Sequence, residues 1–131
     1  MKFVGRWLYA TFALLFLLCV IAQFYFAGVA IFGEAYYWSQ HVTLVHLFGF
    51  NLPVLMVFAA FAGRSRKWDY LHILSLFFLV FLMYFTANLG FEHSFIGALH
   101  PLVGVLIAVI AGSNLYRAIT LALNREKRRQ E

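Results

Sequence analysis

Four long apolar stretches, separated by turns too short to hold a domain, constrain this chain more than any other feature. A helix rises about 1.5 Å per residue, so a hydrocarbon core about 30 Å thick takes about 20 mostly apolar residues per crossing. The stretches cover about residues 5–32, 40–62, 70–90 and 95–123 of a 131-residue chain that is 64% hydrophobic and 11% charged. Lipid offers no water to peptide groups, so such spans satisfy their backbone as helices. The expectation is an all-α integral membrane protein, a single four-span domain over residues 1–131 folded as an up-down-up-down four-helix bundle. Pro53 predicts a kink in the second span, with a carbonyl near Gly49 freed, and Pro101 reads as a first-turn proline of the fourth.

The first stretch exceeds the roughly 7–15 residues of a signal-peptide core and closes on no small-residue cleavage site, so it reads as a retained span. Cys19, the single cysteine, lies within it and has no intrachain partner.

The net charge of +5 speaks of topology rather than nucleic acid. All ten basic residues fall at Lys2 and Arg6, at Arg64, Arg66 and Lys67, and from Arg117 to Arg129. Those places share one side of a four-span path. The opposite turns carry Glu34 and Glu92 and no Lys or Arg, which the positive-inside rule reads as a multi-pass protein of the cell membrane with both termini cytoplasmic. The run from Arg125 to Arg129 suits anchoring to anionic lipid headgroups. No glycine-rich phosphate loop, nucleophile elbow or intramembrane carboxylate pair is present, and the chain does not read as an enzyme on its own.

Intramembrane histidines are functional candidates because an imidazole at depth needs a partner, a ligand or water. His46 with Gly49, and His100 with Gly104, each place a glycine one turn along the same face. Two neutral imidazoles on facing helices, with thin walls beside them, are what a bis-histidine haem b needs. Gln23, Thr86 and Asn88 share that outer half and are placed to orient such rings, although such residues also serve plain helix packing. His41 lies five residues before His46, a rotation of roughly 140°, so it reads as interfacial, and His93 as loop-borne. His41 and His93, with Glu34 and Glu92, form an alternative zinc or copper site.

The two halves of the chain also echo each other. Gln23-Phe-Tyr-Phe-Ala-Gly28 followed by His46-Leu-Phe-Gly49 is similar to Met83-Tyr-Phe-Thr-Ala-Asn88 followed by His100 and Gly104. Two parallel helical hairpins related by an axis along the membrane normal would set His46 opposite His100.

Those segments resemble a family of small uncharacterised four-span bacterial membrane proteins. More distantly, the layout is similar to one four-helix half of haem A synthase. That resemblance implies that histidines on the second and fourth helices, here His46 and His100, are axial haem ligands. This chain has Thr43 and Leu47 where the synthase pattern carries a glutamate before its second-helix histidine and an arginine after it, so the resemblance extends to scaffold rather than to haem A synthesis. The leading expectation is a membrane haem b protein for electron transfer, haem handling or sensing, with a redox partner. The alternatives are a cofactor-free accessory or assembly subunit of a larger membrane complex, and an outer-face metal or quinone site.

Overall fold

The computed structural model describes residues 2–130, with side chains over 2–124, so the side chains of the basic run from Arg125 to Arg129 lie outside the described residues. Five helical segments build four spans: α1 (Lys2–Phe32), α2 (Tyr37–Phe48) with α3 (Asn51–Gly63), α4 (Lys67–Gly90) and α5 (Ser94–Gln130). Each crossing is long and apolar enough to traverse a membrane. The helices start slightly ahead of the apolar stretches because aromatic and charged flanking residues also wind. Asp69, for example, accepts the Arg66 backbone N–H at 2.8 Å and caps α4.

The second span breaks at Gly49 and Phe50, one turn before Pro53. Proline has no N–H to give to the carbonyl four residues back, and Asn51 eases the break by donating Nδ2–H to Leu47 O at 2.7 Å. Pro101 differs from its expected place: α5 begins at Ser94, so this proline lies two turns inside the helix. Its ring removes the donor that Gly97 O would have used.

The α1 helix has α2 and α3 on one side and α5 on the other, and α4 packs against α5. The α3–α4 side is sparse, and α2 and α4 stand apart. Tyr9, Phe16, Met56, Ile73 and Leu76 fill the interior, while Leu18, Ile21, Phe58, Phe61, Phe78 and Phe81 face outward. Such outward side chains suit lipid, which is as apolar as they are.

Small residues let backbones meet at both ends. A Cβ on Gly5 would lie 2.4 Å from Gly63 N, and one on Gly90 would lie 2.7 Å from Gly97 Cα. Arg64 then takes the left-handed position that ends α3, at φ 52°, where glycine is usual. The basic end joins two of the buried polar groups, Asn114 and Asp69, to partners on other helices. Tyr9 donates its hydroxyl to Asn114 Oδ1, and Asn114 Nδ2 reaches Met56 S at 3.6 Å. Asp69, 2% exposed, receives Arg117 Nε at 3.1 Å and Nη2 at 2.9 Å on one oxygen.

Two stability outcomes follow from these contacts. Gly5→Leu should lower the thermal midpoint in detergent, whereas Gly28→Ala, with nothing within 4 Å of the new Cβ, should leave it unchanged or raise it. Arg117→Met strands a buried carboxylate and should cost about 3–5 kcal/mol, and adding Asp69→Asn should recover part of that loss. An Arg117→Met protein as stable as wild type would show that the pair does not hold α4 to α5.

Candidate functional site

The gap between α2 and α4 is a cavity of about 560 Å³ at the end opposite the basic residues. Its polar lining includes Gln23, Trp38, His41, His46, Thr86 and His100. A smaller apolar cavity of about 90 Å³ lies against it, walled by Phe16, Val20, Phe24, Phe48 and Ile107. The two share Gln23, His41, Val45, Met83 and His100 as a common partition.

Two imidazoles stand in that partition. The His41 and His100 ring centres are 6.3 Å apart, with planes inclined at 55°. His41 Nδ1–H donates to Gln23 O and His100 Nδ1–H donates to Met83 O, both at 3.1 Å. A carbonyl only accepts, so each Nδ1 carries a proton, and a ring in its neutral form keeps its lone pair on Nε2. Neither Nε2 has a hydrogen-bond partner among the described residues. Imidazoles that bind a metal are commonly fixed in this way, by the other ring nitrogen on a carbonyl.

The chain explains how His41 is held. Gln23 Nε2 donates to His41 O at 2.9 Å, so main chain and side chain of each residue engage the other. Gln23 Oε1 remains buried without a partner among the described residues, a situation that costs about 1–3 kcal/mol unless a donor arrives. On the other side, Thr86 donates its hydroxyl to Leu82 O and Met83 O and lies 3.4 Å from His100 Nδ1.

The placements differ from those expected from spacing in several respects. His41, expected at the interface, is half-buried and faces His100. His46 turns to α4, where Nδ1 and the Tyr84 hydroxyl share a hydrogen bond of 3.0 Å. The divergence of the two rings around α2 is real, yet both reach the cavity because it lies between their neighbours. Gly49 lines neither cavity: a Cβ there would meet Val45 O at 2.7 Å and Val80 Cγ1 at 3.3 Å, so it serves the helix break. Gly104 lines the smaller cavity, with the Phe24 ring 3.2 Å from where a Cβ would stand. Asn88 lines the cavity mouth. His93 is exposed, and among the described residues no three His, Cys, Asp or Glu side chains gather to hold a metal ion.

The internal echo acquires a physical meaning here. Gln23 and Met83 are equivalent in it, and each offers its carbonyl to a histidine on the following span, 18 and 17 residues later. The equivalent of His100 is therefore His41. The spacing from Gln23 and from Met83 was the sequence signal for it. Gly90 and Gly97, whose contact joins α4 to α5 beside the cavity, carried no such signal.

Ring-¹⁵N NMR of histidine-labelled protein should show two neutral Nδ1–H imidazoles, one lost in His41→Ala and the other in His100→Ala. Nε2–H tautomers at both positions would be incompatible with the two carbonyl anchors.

No curated protein and no solved structure matches the chain. The stretch that runs from Gln23 through His41, His46 and Thr86 to Asn88 does match a family: over residues 23–88 the chain belongs to DUF6220, a family of unknown function.

Proposed function

We propose that this chain is a membrane-embedded b-type haem protein whose axial ligands are His41 and His100, serving one-electron transfer, haem handling or sensing. The observation that carries it is the pair of carbonyl-anchored imidazoles with bare Nε2 atoms and ring centres 6.3 Å apart.

The wall chemistry fits the group. A cavity of about 560 Å³ falls within the roughly 300–1,000 Å³ typical of cofactor sites. Val42, Val45, Met83 and Ala87 give it apolar walls, and Trp38 and Asn88 bring hydrogen-bond donors to it, which propionates would need. The orphaned Gln23 Oε1 is a further acceptor in the wall. When bound, haem supplies a one-electron couple, and two histidine ligands leave no open coordination position.

The chain's own part is orientation and shelter. Gln23 and Met83 would hold the two imidazoles through Nδ1, Thr86 lies against the His100 side, and the apolar lining residues would pack against the ring edges. Scaffold likeness to one half of haem A synthase belongs to this proposal, as does a cytoplasmic placement of both termini, which would set the site in the outer half of the membrane. His100 keeps the role the spacing assigned, and His41 replaces His46 as its partner.

Absorption spectra of protein purified after expression with ample haem test the assignment. Wild type and His46→Ala should show a Soret band and sharp reduced α and β bands, while His41→Ala and His100→Ala should lose them. A featureless wild-type spectrum after haemin reconstitution would overturn haem binding, and loss of the bands in His46→Ala with retention in His41→Ala would overturn the ligand pair.

A further inference from the structure

The basic end of the bundle carries a second site, independent of the histidines. Arg66, Asp69, Tyr116, Arg117, Thr120 and Asn124 line a polar cavity of about 270 Å³ between the start of α4 and α5. Its single carboxylate is already engaged. Asp69 Oδ1 is held by two Arg117 nitrogens and Oδ2 by the Arg66 backbone N–H. Among the described residues this is the one ion pair, so it neutralises itself and leaves Arg64, Arg66 and Lys67 as local excess positive charge. A guanidinium has five N–H donors in a fixed fork. Arg117 therefore retains N–H groups beyond those spent on Asp69, beside the Arg66 guanidinium and the Asn124 amide, while the Thr120 hydroxyl already donates to Tyr116 O. A donor-rich pocket of positive charge takes an anion with several acceptor oxygens, which is the chemistry of a phosphate.

A second cavity on the same seam says which phosphate. Leu71, Leu74, Phe78, Leu79, Leu106 and Ile110 line a groove of about 560 Å³ between α4 and α5. Leu71, Leu74 and Phe78 recur at helical intervals along one stripe of α4, and Leu106, Ile110 and Arg117 share one face of α5. At about 1.5 Å per residue, Ile110 lies about 10 Å and Leu106 about 16 Å deeper than Arg117. The seam thus presents a polar phosphate pocket at the membrane surface and an apolar groove continuing into the bilayer. His72 Nε2 and Ser113 Oγ, 3.2 Å apart, tie the two helices between them, and Trp68, 64% exposed, stands beside the pocket at interfacial level.

We propose that one anionic glycerophospholipid occupies this seam, its phosphate held by Arg66 and Arg117 and an acyl chain laid along the α4–α5 groove. Basic pockets between membrane helices recognise anionic headgroups through this combination of charge and adjacent apolar wall. Charge complementarity selects the anionic lipid over a zwitterionic one, because the excess cations would meet the cationic part of the latter.

Thermal unfolding of the full chain in neutral detergent tests this, with phosphatidylglycerol, phosphatidylcholine of the same chain length, or inorganic phosphate added separately. Phosphatidylglycerol should raise the midpoint by at least about 3 °C, with little response to the other two. Arg66→Gln alters an exposed side chain whose backbone still caps α4, so it should unfold at the wild-type temperature without lipid and lose the phosphatidylglycerol response. Leu106→Trp, which fills the groove from a lipid-facing position, should lose it as well. An equal shift with inorganic phosphate would replace the lipid by a free anion. Equal shifts with both lipids, or a full response in both variants, would overturn the site.

Discussion

In lipid an apolar side chain gains nothing by leaving its solvent, so the choice of which helix faces meet falls to close backbone contacts and to the few polar groups that cannot be left unpaired. This constraint organises the bundle. The Gly5–Gly63 and Gly90–Gly97 contacts bring α1 to α3 and α4 to α5. Asp69 with Arg117, and Tyr9 with Asn114, then fix the rotation and register of α4 and α1 against α5. Each pairing satisfies groups that would otherwise be stranded in an apolar interior.

The same constraint makes the opposite end different. There His41 and His100 pair not with each other but with carbonyls on the helix preceding each in its own hairpin, while His46 reaches across to Tyr84. Those two imidazoles are satisfied within their own hairpins, and beside the His46–Tyr84 contact the space between α2 and α4 is a cavity. Two lone pairs and one orphaned amide oxygen border it. A packed basic end thus stands opposite an open histidine end.

Much of this was legible in the residues. Four spans follow from the lengths of the apolar runs, and the helix break near Gly49 follows from Pro53. Gln23, Thr86 and His100 stood out because polar groups at bilayer depth need partners, and all three make such contacts. His41 was harder to read: rotation about a regular helix sets it away from His46, but says nothing about which neighbour lies on that side. Gly49 and Gly104 were read as room for a ligand; Gly104 lines the smaller cavity beside the Phe24 ring, whereas Gly49 packs against Val80 and lines neither cavity.

The sequence by itself determined the all-helical membrane class, the number of crossings and the segregation of basic residues from histidines, since these depend on composition along the chain and on the thickness and polarity of a bilayer. Only the tertiary structure decided that His41 rather than His46 faces His100, that Asp69 is neutralised by a residue 48 positions away, and that α2 and α4 part to leave a cavity. Those outcomes depend on helix rotation and on the neighbours each face meets, and local periodicity carries no information about either.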